Sequence, residues 1–472
     1  MPLSRQVHAG KLVLCSLCLA AQALLAQSPS DSSSAAAIER DFQAAMTAQD
    51  SGDTNRAQAL LTDLHAKHPG IFAVDESLGL LYVSKQDFKG ALPLLEAAVR
   101  EEPSSDVAVA NLGAAHFKLH RNAEALQEFQ RAAELNPGNV VTQQALGRLW
   151  MESHEPERAA AAFDAALQHD PGNVNLTMDR AQALSDAGKP GEAAELLANL
   201  PNARKSAQVQ SLLGDVEEKK GDYLQSAQHY TLAAELEPSE SNAWMVGIEF
   251  LRHWTFDAAA REFQAGVQNF PQSTRMRVGL GAAYFGGAHY DQAVPVFADL
   301  LTTDKDNALY AELLGLSCKA VAAGTHPHCD ALIDYAESHP GDARASTYAA
   351  ATLMAGTADD QRAIVERKLL RQAIAADPRL AEAQYRMGVF EQDRSNWPGS
   401  VPYLEKAIAL KPDLAQAHYR LALAYWRAGR KQDGEVQMEL LKKYSKQQQD
   451  DLDRRLRQIT TFLVDVPKKT GE

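Results

Sequence analysis

The chain is poor in cysteine and in aromatic residues, with four Cys and 7% Phe, Trp and Tyr among 472 residues. So few cysteines exclude a small disulfide-framework fold. Positive charge is also in deficit: 47 Lys and Arg stand against 61 Asp and Glu, for a net charge of −14. A general nucleic-acid binder is thereby disfavoured, because neutralising phosphates needs clustered cations. Long apolar runs are missing too. The run 12–26 (LVLCSLCLAAQALLA) has 15 residues, short of the roughly 20 that cross a bilayer as a helix. With 45% apolar and 23% charged residues and a mean hydropathy of −0.32, wholesale disorder and a multi-span membrane protein are both excluded.

Arg5 and Lys11 precede the 12–26 run, and small residues stand at Ala23 and Ala26. A basic stretch, a short apolar core and a small-residue site make a secretory leader, with cleavage expected between Ala26 and Gln27. The alternative is an uncleaved anchor. A lipoprotein is disfavoured by Leu14 before Cys15 and Leu17 before Cys18, where a small residue is needed. The leader holds two cations and no acid, so a chain beginning at Gln27 carries −16. The expected location is periplasmic or secreted.

What is abundant is periodicity. Pro69, Pro103, Pro137 and Pro171 are each 34 residues apart, as are Pro378 and Pro412. In that frame Leu112–Gly113, Ala125, Phe129 and Ala132 align with Leu146–Gly147, Ala159, Phe163 and Ala166, and with Leu280–Gly281, Ala293 and Phe297. Each period reads as two amphipathic helices joined by a turn such as Gly52–Asp53 or Gly221–Asp222, closed by a helix-stopping proline. One hairpin leaves an apolar stripe open, so units must stack.

The pattern resembles the tetratricopeptide repeat of exported bacterial-type proteins. That resemblance implies an all-α, right-handed superhelical solenoid of about twelve helix-turn-helix units over residues 38–446. The flanks read as a leader (1–26), a Ser/Ala-rich linker (27–37), a capping helix (447–463) and a disordered tail (464–472). Local departures are Arg180 where a Leu is usual, Glu217 and Glu391 for an aromatic, Ser226, Ser400 and Gly434 for Ala, and extra residues near 357–361.

Motifs for catalysis are lacking: there is no Walker loop, no Gly-x-Ser-x-Gly elbow and no His-Glu-x-x-His. No enzyme, cofactor or metal site is expected. The glycines of 279–287 belong to the repeat, and Trp150, Phe250 and Tyr284 fall at its core positions. Glu101–Glu102 and Glu217–Glu218 read as solvated acidic faces. Cys318 and Cys329 admit three readings: a disulfide within the ninth hairpin, two small core residues, or a metal cluster with His326 and His328, whose spacing fits no common zinc motif.

One surface pattern suggests partner binding. Tyr385–Arg386 and Tyr419–Arg420 lie one repeat apart on first helices, with Arg427 two turns beyond Tyr419. In the resembled family this face lines the groove that receives peptides, so the five residues are candidates for stacking on a segment or pairing with its carboxylates. The opposing possibility is that Tyr packs inward and Arg386 pairs with Glu382 at i−4. The family's Lys/Asn carboxylate clamp and an asparagine ladder are both absent. The expected function is an exported, non-catalytic scaffold binding a peptide or folded partner. The alternative is a structural subunit of a cell-envelope or polysaccharide-export assembly.

Overall fold

The computed structural model describes residues 32–321, 326–354 and 360–464; the leader 1–26 and the tail beyond Val464 lie outside them. Among the described residues there are 24 α-helices and no strand, arranged as twelve consecutive helix pairs. The first pair is Ser32–Asp50 with Thr54–Lys67, and the last is Ala415–Arg427 with Lys431–Val464. The chain divides at Ala193/Ala194, inside the second helix of repeat five, into two compact units.

The repeat is written in three local devices. Most first helices open on a side-chain cap: Ser105, Asn139, Asn173, Ser206, Ser239, Ser273 and Asn307 each accept a bond from the amide three residues on, whereas Ile71, Leu380 and Leu414 give none. Such caps satisfy an otherwise orphaned N–H and stabilise by about 1 kcal/mol. Between the two helices one residue takes a left-handed conformation. Glycine serves at Gly52, Gly188, Gly221 and Gly429, while Gln86, His120, His154, Trp254 and Ala288 adopt it despite a Cβ. Second helices end just before the closing proline, with His68, Glu102, Asn136 and Asp170 turned out of helical geometry. Sterics between a proline ring and its predecessor favour that turn-out.

Packing within a hairpin follows from a small residue facing a large one. A Cβ on Gly147 would lie 2.6 Å from the Phe163 ring, on Gly214 2.6 Å from Tyr230, on Gly247 2.5 Å from Phe263, and on Gly281 2.6 Å from Phe297. In each pair the ring of the second helix occupies the space above the glycine of the first. Phe163, Tyr230, Phe263 and Phe297 are accordingly among the largest fully buried side chains. In the first unit the cores run through Leu61, Leu78 and Leu95 to Val109 and Leu112. In the second, Phe263 and Met276 centre one cluster, and Phe297, Leu314, Leu332 and Leu369 another.

Two boundaries differ from those read in the sequence. The first helix begins at Ser32, inside the span assigned to a linker, because Ser and Ala residues 32–37 continue the helix of repeat one. Residues 447–463 do not form a separate capping helix. They extend the last repeat's second helix, which runs unbroken over Lys431–Val464, with neither proline nor glycine between Gly434 and Val464 to stop it.

Candidate functional site

The five candidate partner-binding residues fall into two environments. Tyr385, in the first helix of repeat eleven (Ala381–Asp393), is half-buried and packs on Leu404, Leu421, Tyr425 and Ala417. Burial raises its phenol above the usual range, against the pull of Arg386 and Arg420. Tyr419, its counterpart one repeat on, is 45% exposed. The two tyrosines share a register position but not a surface, because the final repeat covers only the first of them.

The arginines differ likewise. Arg386 donates from Nε to Glu382 Oε1 at 2.9 Å, and Lys319 Nζ reaches the same oxygen at 3.1 Å. Burial alone would raise the Glu382 carboxyl, but Arg386 and Lys319 outweigh it and hold it below the usual range. Arg386 is therefore engaged in the pairing expected at i−4. Arg420 donates a hydrogen bond to the Tyr385 hydroxyl, and its ion pair is long, 3.5 Å to Oδ1 of Asp393, a carboxylate that is 55% exposed. Arg427 lies over the Trp397 ring, 4.1 Å from its centroid, a cation–π contact worth about 0.5–1 kcal/mol at an exposed site.

These contacts belong to a wider pattern along the first helices. Within the first unit Asn111 donates to Glu76 at 3.2 Å and Arg148 to Asp179 at 3.2 Å. Within the second, Arg275 pairs with Glu240, Arg344 with Glu312, and His253 with Glu218. Most of these rungs join residues about one repeat apart. Val107, Val141 and Leu309, near the starts of first helices, are exposed apolar side chains. Mixed charge with isolated apolar points suits recognition of a polypeptide surface, where a few anchors supply most of the affinity. A cleft of about 530 Å³ near repeat eleven is lined by Gln384, Glu391, Asn396, Tyr403 and Lys406. Three of its polar groups are already engaged: Glu391 is held by Arg367 and by Asn396, and Gln384 donates to the Pro378 carbonyl.

Cys318 and Cys329 are joined as a disulfide, with a Cα–Cα distance of 6.1 Å. Cys318 lies on the first helix of repeat nine (Ala308–Ala320), and Cys329 closes a short 3-10 turn before the second (Asp330–Ser338). Both are buried in the core cluster of Leu314 and Leu332. With the sulfurs spent on each other, the metal reading of this cluster fails. His326 and His328 face one another, ring centroids 5.1 Å apart, and His326 Nδ1 accepts from the His328 amide at 3.3 Å.

The acidic pairs divide. Glu101–Glu102 is exposed as expected. Glu217 is instead buried and paired with Lys220 at 2.7 Å, and Glu218 contacts His253 at 2.9 Å. Where Glu217 replaces an aromatic, the repeat admits a carboxylate because Lys220 stands one turn on. Arg180 finds a comparable outlet, reaching Asp164 at 3.0 Å from a position that usually packs.

Tetratricopeptide-repeat family models match residues 42–106, 76–140, 151–216 and 391–439. The chain is a tetratricopeptide-repeat protein. No curated protein matches it in sequence. Among solved structures, it is similar to a tetratricopeptide-repeat protein from Parabacteroides merdae (17% identity, TM-score 0.39, covering 52% of this chain and 98% of that one). It is also similar to YrrB, a tetratricopeptide-repeat protein with an unusual peptide-binding site (16% identity, TM-score 0.36, 39% and 94% covered). A third likeness is to Naa15/Naa10 bound to HypK-THB (13% identity, TM-score 0.37, 85% and 68% covered). As a tetratricopeptide-repeat chain it is a protein-interaction scaffold. Among the described residues no helix is long and apolar enough to cross a membrane.

Proposed function

We propose that this tetratricopeptide-repeat protein is an exported, non-catalytic scaffold that takes an acidic polypeptide segment on the first-helix face of its last two repeats. The observation that carries the reading is the pairing of Tyr419, exposed, with Arg420, whose nearest carboxylate is a solvated Asp393 at 3.5 Å. A solvated partner at that distance holds weakly, so an incoming carboxylate displaces it at little cost. Trp426 and Val436, also exposed, add apolar area in the same repeat. Arg386 serves the scaffold itself, through Glu382. Export rests on the leader-type sequence of residues 1–26 and agrees with a paired Cys318–Cys329.

The test changes Arg386 and Arg420 to Ala together and singly, then compares melting temperature and quantitative partner capture with the parent. Loss of an anchor of this kind weakens binding by about 1–3 kcal/mol. The expected result is that Arg420→Ala reproduces the binding loss of the double variant, while Arg386→Ala chiefly lowers the melting temperature. Undiminished capture by the double variant removes recognition from this face. For export, the amino terminus of the protein recovered from its native host is expected at Gln27.

A further inference from the structure

One cluster in the second unit is unrelated to the hairpin packing and to the Tyr419–Arg420 face. Glu249 and His253 lie one turn apart at the end of the first helix of repeat seven (Glu240–Arg252), and Glu218 at the end of the corresponding helix of repeat six (Ala207–Lys220). One ligand atom from each of the three lies within 4.8 Å of the others.

Glu249 is the informative member. Its side chain is 1% exposed; the Ser226 hydroxyl and the Glu218 carboxyl face it, yet neither carboxylate oxygen has a hydrogen bond of good geometry. Buried polar groups in native proteins are nearly always satisfied, and an exception calls for an explanation. The closest cations are His253 Nε2, 3.5 Å from Oε1, and Arg252 Nη1, 3.6 Å from Oε2. Both exceed hydrogen-bonding distance. The same His253 Nε2 sits 2.9 Å from Glu218 Oε2, so one imidazole nitrogen stands between two carboxylates. A single N–H directed at Glu218 leaves Glu249 with the Ser226 hydroxyl and the Glu218 carboxyl as its polar neighbours. The imidazole ring is itself stacked on Tyr223, centroids 3.8 Å apart, which fixes its plane.

A cation serves all three groups at once. With metal–ligand bonds of about 2.1 Å, neighbouring ligand atoms are separated by roughly 3.0 Å in octahedral and 3.4 Å in tetrahedral geometry. The two separations around His253 Nε2, 2.9 and 3.5 Å, bracket those edges. We propose that Glu218, Glu249 and His253 form a binding site for a divalent first-row transition-metal ion, of which Zn²⁺ is the probe. An imidazole nitrogen among the ligands selects against Ca²⁺ and Mg²⁺, which take oxygen, and two carboxylates without thiolate select against soft monovalent ions. Three protein ligands leave at least one coordination position for water. Arg252, half-exposed beside Glu249, is the charge that an entering cation displaces. The bound ion joins the first helices of consecutive repeats at the point where the buried carboxylate otherwise has only the longer contacts to Arg252 and His253.

The full chain, stripped with a chelator, is titrated with ZnCl₂ by calorimetry and with CoCl₂ by visible absorption. One equivalent is expected to bind tightly and to raise the melting temperature. Glu249→Gln and Glu218→Gln are each expected to weaken that equivalent at least about 10-fold, whereas the double change His326→Gln, His328→Gln leaves it unaltered. Glu249→Gln removes a buried charge, and Glu218 is partly exposed, so at least one of these variants keeps the parent's helical circular dichroism. Zn²⁺ binding of parental strength in a folded Glu249→Gln or Glu218→Gln variant overturns the site. So does a folded parent that binds no Zn²⁺ at millimolar concentration, or one that prefers Ca²⁺.

Discussion

Gly247 and Phe263, sixteen residues apart in repeat seven, meet so closely that a Cβ on the glycine would fall 2.5 Å from the ring. The same offset recurs at Gly79–Leu95, Gly147–Phe163, Gly281–Phe297 and Gly388–Leu404. In repeat nine the pairing fails. There Gly315 receives Tyr348 of the following repeat instead, because the short second helix, Asp330–Ser338, offers no ring at that offset.

Gly247→Ala is therefore expected to destabilise the second unit by about 1–3 kcal/mol through overpacking, even though alanine is the better helix former by about 1 kcal/mol. Gly341→Ala is the control, since nothing lies within 4 Å of the added methyl, and it is expected within about 0.5 kcal/mol of the parent. Thermal unfolding of both variants measures the difference, and equal midpoints would refute the packing account. Shortening the ring with Phe263→Leu in the Gly247→Ala background is expected to recover part of the loss.

The disulfide makes a second prediction. Protein begun at Gln27 carries two cysteines, and its denatured, unreduced form is expected to show no reactive thiol. Closing a loop of this length stabilises by about 2–3 kcal/mol in the chain-entropy account. Reduction should accordingly lower the unfolding midpoint, and Cys318→Ser should abolish that response. Two titratable thiols per chain would show the pair to be open.

How much of this was legible in the sequence depends on whether a feature repeats. The hairpins, their turns at Gly52 and Gly221, and the closing prolines recur every 33 or 34 residues, so each instance supports the others. The departures do not recur, and their meaning lay in partners far along the chain. Glu217–Glu218 read as a solvated face because nothing local tells that Lys220 and His253 converge on it. The sequence offered Tyr385–Arg386 and Tyr419–Arg420 as partner contacts with the Arg386–Glu382 pairing as the alternative; it could not tell that only Tyr385 acquires a covering repeat or that Lys319, 63 residues upstream of Glu382, completes the pairing that engages Arg386. A signal for the Glu218 cluster was present in the i, i+4 spacing of Glu249 and His253 with a carboxylate one repeat earlier. Without knowledge that Glu249 is buried, that spacing is indistinguishable from an exposed helix face.

The last prediction concerns Glu366, on the second helix of repeat ten (Asp360–Ala376). Burial pushes its carboxyl up to about 7, with Asp393 adding to the shift and Arg394 and Arg386 opposing it. In the unfolded chain the same group titrates near 4.5, so below that pH it is protonated in both states and contributes nothing. Between about 4.5 and 7 the unfolded state releases its proton while the folded state retains it, and stability falls as pH rises; above 7 the loss is complete and constant. Glu366→Gln abolishes the titration. The variant is expected to match the parent at pH 4 and to exceed it by about 1–2 kcal/mol at pH 8, the full shift being reduced by solvent screening of the partly accessible carboxyl. Glu249, which burial likewise pushes up to about 7, adds the same slope to both proteins and cancels in the comparison. Denaturant unfolding at a series of pH values measures the two curves. Parallel curves for parent and variant would mean that Glu366 ionises in the folded protein as readily as in the unfolded one.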